Sequence, residues 1–397
     1  MSDLEVSGPA VSRLRLSRRA ADVVQSEIRN MSIECARVGG INLSQGVCDT
    51  PVPPVIADAV QDGVAKGYNI YTRHDGIRPL RQAIAEQRLA FHGVTVDPET
   101  QIVVSGGATG ALYSACLALL DPGDEVVLFE PYYGYHLNTL LSVDAVPSFV
   151  PMQPPDWTFS EADLERAITP RTRAIIVNTP GNPSGKVYTR AELELIRDVA
   201  VRHDLFVLTD EIYEHFLFEG RRHVSPATIP GLDERTITIS GFSKTFSITG
   251  WRIGYAIAPE RWASTIGFYS DLVYICAPAP LQYAVARGMA QLGRRYYDGL
   301  SDEYAVKRAT ICAALERAGL TPFVPQGAYY VIADASALPG RHSKDRAMYL
   351  LEKTGVAAVP GEAFFQRREG ANYLRFCFAK NDQVLAEACE RLERLRT

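Results

Sequence analysis

Three features that the sequence lacks narrow the classes of protein to which it can belong. No run of apolar residues approaches the roughly 20 that a membrane-spanning helix needs. Basic residues are not in excess, since 41 Lys and Arg face 46 Asp and Glu and the net charge is −5, so neither nucleic acid nor an anionic membrane is an expected partner. Four arginines lie between Arg13 and Arg19 without an apolar stretch, which excludes a secretory signal. An amphipathic helix beginning near Ser12 explains them better than a transit peptide does.

The seven cysteines form no recognisable pattern. None occurs in a Cys-x-x-Cys pair, their number is odd and the chain is long, so no disulfide framework is predicted, and we predict no bound metal. Most of them lie in apolar surroundings, which is typical of small buried hydrophobic residues. This cysteine usage fits a protein of the reducing cytoplasm.

A glycine-rich segment, Ser105–Gly110, lacks both of the familiar nucleotide-binding spacings. It does not end in the Lys-Ser/Thr of a P-loop, and it does not have the spacing G-x-G-x-x-G of dinucleotide-binding proteins. Small residues that join a strand to a helix nevertheless leave N–H groups free at the start of the helix, where they suit a phosphate. The segment therefore favours a phosphate group but not a nucleoside triphosphate or NAD.

Short runs rich in Val and Ile alternate with helical stretches along most of the chain. Each run is bounded by Gly, Pro, Asp or Asn, as buried strands are. The seven runs are Ile102–Val104, Glu125–Phe129, Ala145–Val150, Ala174–Val177, Leu205–Leu208, Arg235–Ile239 and Ile253–Ile257. This alternation predicts an α/β fold with a mostly parallel sheet, helices on both of its faces and ligands beyond the carboxyl ends of its strands. From about Arg294 the pattern changes to that of a smaller α+β domain.

The most specific segment is Gly241–Gly254, which contains Lys244 and Arg252. A lysine just past a buried strand, among small residues, is an unusual position for a solvated charge. It suits an amine that bonds covalently to an aldehyde cofactor, and Arg252, eight residues further on, can bind a phosphate through its fork of donors. Taken alone, the segment is also consistent with a surface loop.

Two further segments place polar side chains after strands. Asp210 ends a strand, where a buried carboxylate would hold a pyridine nitrogen protonated and make the ring accept electrons, although a helix N-cap is the plainer interpretation. Tyr213 and Asn182 are each placed to contact the phenolic oxygen of such a ring. Asn182 lies in a loop of two prolines and two glycines, which alone would indicate only a turn.

Together and in this order, the four segments resemble those of class I/II aminotransferases. These are fold-type I pyridoxal-phosphate enzymes, and the similarity is to the branch that includes aspartate, kynurenine and glutamine aminotransferases. The resemblance runs from about Arg13 to the C-terminus, and the lysine segment satisfies the signature of the family at every restricted position.

The resemblance implies both an architecture and a reaction. Residues 47–293 would form a large domain around a mostly parallel seven-stranded sheet flanked by helices, and residues 1–46 and 294–397 would form a small α+β domain. The reaction would be the ping-pong transfer of an amino group from an L-amino acid to a 2-keto acid, with pyridoxal 5′-phosphate as cofactor. A homodimer is also implied.

The resemblance assigns roles to individual residues. Lys244, Asp210 and Tyr213 would be catalytic. The implied cofactor contacts are Ala108, Thr109, Tyr133, Asn182, Asp210, Tyr213, Ser243, Lys244, Arg252 and, from the neighbouring subunit, Tyr71. The implied substrate contacts are Gly46, Asn182 and Arg375, of which Arg375 would bind the substrate carboxylate. Relatives often have a phosphate-binding serine where this chain has Gly241, so either Ser240 or Ser243 replaces it or one donor is lost.

The choice of amino donor is less determined. Relatives that take dicarboxylates often carry a second basic residue at one of two places, which correspond here to Gly107–Thr109 and Ser270–Tyr274, and neither stretch has one. The predicted aromatic lining favours a neutral, bulky or aromatic donor, and it consists of Tyr132, Tyr133 and Tyr274. An aspartate- or glutamate-type enzyme stays an alternative, because Arg73 and His74 of a neighbouring subunit can offer a contact to an acidic substrate side chain. A carbon–sulfur β-lyase on the same fold is the other alternative.

Overall fold

The computed structural model describes residues 15–17, 20, 25–366 and 368–396. Its strands are β1 (Ile41–Asn42), β2 (Ile102–Ser105), β3 (Glu125–Glu130), β4 (Val146–Pro151), β5 (Thr172–Asn178), β6 (Phe206–Asp210), β7 (Thr236–Gly241), β8 (Gly254–Ile257), β9 (Thr321–Phe323), β10 (Tyr330–Asp334), β11 (Val356–Ala357), β12 (Val359–Pro360) and β13 (Tyr373–Cys377). Its helices are α1 (Glu27–Arg37), α2 (Pro54–Ala65), α3 (Arg78–His92), α4 (Gly107–Leu119), α5 (Gly134–Ser142), α6 (Glu161–Arg166), α7 (Arg190–Arg202), α8 (Glu260–Tyr274), α9 (Ala279–Gln291), α10 (Arg294–Arg317), α11 (Ser343–Thr354) and α12 (Asp382–Leu392). The helix predicted to begin near Ser12 lies largely outside the described residues.

The seven predicted strands form one sheet, as the sequence pattern indicated. Their order is β2-β8-β7-β6-β5-β3-β4. All pairings are parallel except those of β8, which runs antiparallel to both of its neighbours. The predicted α/β fold with a mostly parallel seven-stranded sheet is therefore confirmed.

Alternate residues of the central strands are buried on opposite faces of this sheet. In β3, Val126 and Leu128 belong to one hydrophobic cluster, whereas Val127 and Phe129 belong to another. Because successive side chains of a strand point to opposite faces, each strand contributes to two cores at once. This double burial explains why the strands appear as continuous apolar runs instead of alternating ones.

A second sheet lies in the C-terminal part of the chain. It has the order β12-β13-β10-β9, and all of its pairings are antiparallel. The short strand β1 pairs with β11, and Lys344 Nζ of α11 lies 2.6 Å from Glu27 Oε2 of α1, so the segment from α1 to β1 packs with the C-terminal part. The division into domains at residues 46 and 293 stays a prediction. Among the described helices, none is both long and apolar enough to cross a membrane.

A buried ion network lies behind the segment that follows β6. Arg88 of α3 is 1% exposed, and its Nη1 lies 3.1 Å from both Glu211 Oε2 and Glu214 Oε2. Two imidazoles complete the network, with His223 Nε2 at 2.9 Å from Glu211 and His92 Nε2 at 2.6 Å from Glu214. The network anchors α3 to the stretch of chain that carries the predicted Asp210 and Tyr213.

Charge pairing, not solvent, keeps Glu211 ionised. Burial raises the pKa of this carboxyl, but the positive charge of Arg88 and the neighbouring His223 outweigh burial and lower the pKa from 4.5 to about 2. Since the folded-state pKa is depressed, the stabilisation is present above pH 4.5 and is lost as the pH falls toward about 2.

We expect Arg88→Met to destabilise the fold by about 3–5 kcal/mol at neutral pH, because it leaves two buried carboxylates without their cation. The measurement is the urea unfolding midpoint. The matched control is Arg78→Met on the same helix, because Arg78 is 76% exposed and its ion pair with Glu99 contributes about 1 kcal/mol or less. The difference between wild type and Arg88→Met should narrow as the pH falls below 4.5, and an equal loss in both variants would contradict the role of the network.

Candidate functional site

A cavity of about 450 Å³ lies at the carboxyl edge of the seven-stranded sheet. Five strands of this sheet (β2, β3, β5, β6 and β7) end beside it, and the residues just after them form most of its wall. The C-terminal part adds residues of β10 and β13, and α1 adds two residues of its first turn. The cavity therefore lies where the fold predicted a ligand site.

Lys244 projects into this cavity from the turn after β7. Its Nζ donates a hydrogen bond of 2.9 Å to the carbonyl oxygen of Gly46. The surrounding protein desolvates the amine, which lowers the pKa of Lys244 below its usual 10.5. A lower pKa increases the fraction of neutral amine, and only the neutral amine has a lone pair with which to attack an aldehyde or accept a proton.

Asp210 reaches the cavity from the end of β6, and a histidine holds its carboxylate. His136 Nε2 of α5 lies 2.9 Å from Asp210 Oδ2, and both residues are buried. Tyr133 lies edge-on to the same imidazole, with ring centroids 5.3 Å apart. The predicted Asp210 and Tyr133 are thus neighbours, with His136 fixing both.

Arg375 of β13 is 1% exposed, yet its guanidinium is not fully hydrogen-bonded. Nη1 donates to Asn182 Oδ1 at 2.9 Å, and Nη2 donates to the carbonyl oxygen of Ser44. Nε has no hydrogen-bond partner among the described residues. Tyr330 supports the group from one side, with the guanidinium carbon 4.4 Å from its ring centroid. A buried cation with an unused donor fits an incoming carboxylate.

The part of the cavity wall that follows β2 offers donors to a phosphate. Helix α4 begins at Gly107 without a side-chain hydrogen bond at its N-cap, and both Ala108 and Thr109 line the cavity. Arg252 also lines it, with Nη2 at 3.3 Å from the carbonyl oxygen of Gly106. Gly107 has φ +80°, and a Cβ there would collide with the Arg252 guanidinium. The close approach of Arg252 to the helix start therefore requires glycine.

The two serines near Gly241 have different surroundings. Ser243 lines the cavity, whereas the Ser240 hydroxyl lies 3.1 Å from Glu214 Oε1 in the buried network. Of these two serines, only Ser243 therefore lines the cavity.

Most of the residues selected from the sequence line this one cavity. They are Gly46, Ala108, Thr109, Tyr133, Asn182, Asp210, Tyr213, Ser243, Lys244, Arg252 and Arg375. Tyr71 does not line it and is 75% exposed. The expected aromatic lining is wrong for two residues, because Tyr132 packs in the core and Tyr274 packs against Gly106 and Gly110.

Three of the cavity residues that sequence reasoning missed bear directly on its chemistry. His136 lies one helical turn after Tyr133, and that spacing was the only available signal. Tyr330, whose hydroxyl lies 3.0 Å from that of Tyr213, lies outside every recognisable motif. Arg29 of α1 also lines the cavity, although the search for a second basic residue considered only other segments.

The chain is similar to proteins of known class over almost its whole length. The family model described as "Aminotransferase class I and II" matches residues 38–392. The probable N-succinyldiaminopimelate aminotransferase DapC of Mycobacterium tuberculosis is 39% identical, over 91% of this chain and 94% of that protein. The kynurenine–oxoglutarate transaminase of Dictyostelium discoideum is 33% identical, over 91% of this chain and 92% of that protein.

A solved structure is also similar to this chain over almost its whole length. That of N-succinyldiaminopimelate aminotransferase from Mycobacterium tuberculosis matches with a TM-score of 0.92 and 37% identity, covering 96% of this chain and all of the other.

We expect Gly241→Ala to destabilise the fold by about 1–3 kcal/mol, because a Cβ at this position would lie 2.9 Å from Gly254 Cα and 3.1 Å from the carbonyl oxygen of Ile253. Gly250→Ala is the matched control, since no atom lies within 4 Å of its added Cβ. The urea unfolding midpoints of the two variants are to be compared. Equal midpoints would show that the backbone can yield and that glycine is not required at position 241.

Proposed function

Because the chain belongs to the class I and II aminotransferases, we propose that this cavity binds pyridoxal phosphate and transfers an amino group from an L-amino acid to a 2-keto acid. The resemblance predicted from the sequence is thereby confirmed. The named relatives are aminotransferases, which supports transamination and does not favour the lyase alternative. The observation that carries the proposal for this site is the desolvated amine of Lys244, which shares one cavity with the side chains of Asp210 and Arg375.

The donors of the cavity match the parts of the cofactor. When bound, pyridoxal phosphate supplies an aldehyde that reacts with amines and a ring that accepts the electron pair left on the substrate carbon. Lys244 would hold the aldehyde, and Asp210 would pair with the ring nitrogen. The residues that would hold the phosphate are Ala108, Thr109, Ser243 and Arg252.

The remaining contacts to the ring come from neutral side chains. Tyr133 would stack on the ring, and Asn182 and Tyr213 would donate to its phenolic oxygen. Burial raises the pKa of the Tyr213 hydroxyl above its usual value, so the hydroxyl stays protonated and can donate. Asn182 Oδ1 is occupied by Arg375, which leaves its amide N–H groups for the cofactor.

Lys244 would move the proton of the reaction. When the substrate amine holds the aldehyde in its place, the Lys244 amine would be free inside the cavity, and its lowered pKa would make it neutral in a larger fraction of molecules. A neutral amine would accept the proton from the substrate α-carbon and would return it to the former aldehyde carbon of the cofactor, on the other side of the nitrogen. Asp210, whose carboxylate lies 2.9 Å from His136 Nε2, would face the ring nitrogen.

Arg375 would orient the substrate for this transfer. The carboxylate of an amino acid would pair with the guanidinium where it lines the cavity, and the contacts of Arg375 with Asn182 and Ser44 fix the direction of the group. Gly46 leaves the room that this arrangement needs, since a Cβ there would collide with the Tyr330 hydroxyl. The aromatic rings of Tyr133, Tyr135 and Tyr330 line the cavity and favour a bulky or aromatic donor.

We expect Lys244→Ala to lower the rate of the half-reaction by at least about 10³-fold, because both the nucleophile and the base are removed. One amino acid at a time is added to the cofactor-loaded protein without a keto acid, and the absorbance spectrum is followed. The control is Lys353→Ala, an exposed lysine of α11, which should react as the wild type does. An undiminished rate in Lys244→Ala would remove this residue from the mechanism. Release of ammonia together with a keto acid from the wild type would indicate a lyase.

We also propose a homodimer in which Tyr71 contacts the cofactor of the partner subunit. Tyr71 and Ile70 are 75% and 79% exposed, unusual values for large apolar side chains. The same surface continues to α8 through His74, whose ring centroid lies 5.5 Å from that of Phe268. Leu272, at 80% exposure, extends this apolar surface along the helix. Exposed apolar residues in adjacent segments are typical of a subunit interface.

Mixing two inactive variants tests the position of Tyr71. Consider a heterodimer of the Lys244→Ala and Tyr71→Ala variants. If Tyr71 enters the partner's site, one of the two sites carries both substitutions and the other carries neither. Random mixing should then restore about one quarter of the wild-type activity, because half of the dimers carry one intact site. The control mixes each variant with itself. No recovery above the controls, with heterodimers shown to form, would place Tyr71 outside the partner's site.

A further inference from the structure

Arg29 is a basic side chain of the cavity that the proposed reaction leaves unused. Five lining residues can carry positive charge, and the others are His136, Lys244, Arg252 and Arg375. The proposed reaction already uses these four, since His136 holds Asp210, Lys244 reacts, Arg252 lies at the phosphate end and Arg375 faces the substrate carboxylate. Arg29 is exposed at the rim of the cavity and makes no ion pair with any described residue.

The position of Arg29 is fixed relative to Arg375 by the backbone. Arg29 lies in the first turn of α1, where the hydroxyl of Ser26 accepts from Ile28 N. The carbonyl oxygen of Ile28 lies 3.5 Å from the hydroxyl of Ser44, and the carbonyl oxygen of Ser44 accepts from the Arg375 guanidinium. The first turn of α1 is therefore connected through one residue to the group that would bind the substrate carboxylate.

The charges around Arg29 leave it free to bind an anion. Asp210 is the single carboxylate among the described lining residues, and it is buried in contact with His136. Glu27, the nearest acidic residue of the first turn, is occupied by Lys344 and Asn30. An arginine stays charged at every ordinary pH, so a positive charge that no described residue pairs with remains at the mouth of the site.

We propose that Arg29 binds an anionic group at the far end of the amino donor's side chain, and thereby favours donors that carry a second carboxylate. This inference rests on the proposed function and names the substrate class within it. It differs from the expectation of a neutral donor, which was drawn from two segments that do not include Arg29. A bulky side chain that ends in a carboxylate would pack against the aromatic rings of the cavity and pair with Arg29.

The expected preference is modest because Arg29 is exposed. Solvated ion pairs are weaker than buried ones, and salt screens them. We therefore expect the wild type to favour a carboxylate donor over the corresponding amide by about fivefold in kcat/KM, and this preference should shrink as salt is added.

Two matched pairs of donors test the proposal. Glutamate is compared with glutamine, and para-carboxyphenylalanine with para-carbamoylphenylalanine, so that shape is kept while charge changes. Each is assayed with wild type, Arg29→Gln, Arg29→Lys and Arg37→Gln. Arg37 is the matched control, because it lies in the last turn of the same helix and pairs with Glu34 on the surface.

Arg29→Gln should lower kcat/KM for the carboxylate donors, mainly through a higher KM, and leave the amides within about twofold. Arg29→Lys should retain part of the preference, and Arg37→Gln all of it. An unchanged ratio of carboxylate to amide in Arg29→Gln, with transamination intact, would overturn the role of Arg29 alone. Absence of transamination with every donor in the wild type would instead overturn the proposed function.

Discussion

Buried charge at the carboxyl edge of the seven-stranded sheet is the constraint on which the rest of the site depends. Arg375 and Asp210 are buried there, and the Lys244 amine is desolvated. Removing a charge from water is costly unless hydrogen bonds and counter-charges replace the water. The chain supplies such partners nearly everywhere, through His136 for Asp210 and through Asn182 and Ser44 for Arg375. Arg375 keeps donor capacity that no described residue uses, at Nε, and a substrate carboxylate would complete the pairing of this guanidinium.

The segment 210–214 shows how one turn of chain can serve both stability and chemistry. Asp210 and Tyr213 line the cavity, whereas Glu211 and Glu214 join the buried network around Arg88. The network fixes the backbone on one side of the segment and so fixes the direction of the reactive groups on the other. The two serines near Gly241 are divided in the same way, because the Ser240 hydroxyl contacts Glu214 of the network whereas Ser243 lines the cavity.

The elements and most of the site could be predicted because their signals are local. Strands buried on both faces appear as continuous apolar runs, and parallel strands bring their carboxyl ends to one edge, so residues that follow different strands are expected to converge. Tyr132 and Tyr274 were misplaced because neighbouring aromatic residues on a chain can point into a core or into a cavity, and composition does not distinguish the two. His136, Tyr330 and Arg29 were missed because packing between distant segments brings them to the site. Arg29 lies in α1, and its approach to the cavity depends on the pairing of β1 with β11.

The two arginines that would bind the substrate differ in how deeply they are buried. Arg375 is 1% exposed and rigidly held, so a donor without an α-carboxylate would leave a buried cation unpaired, and that cost is large. Arg29 is exposed, so water can replace a missing distal carboxylate at little cost. Arg375 would therefore make the α-carboxylate a requirement, whereas Arg29 would give only a preference for a second carboxylate. This asymmetry also suits a ping-pong enzyme, in which one cavity accepts two different acids in turn: both bring the same α-carboxylate, and only their side chains differ.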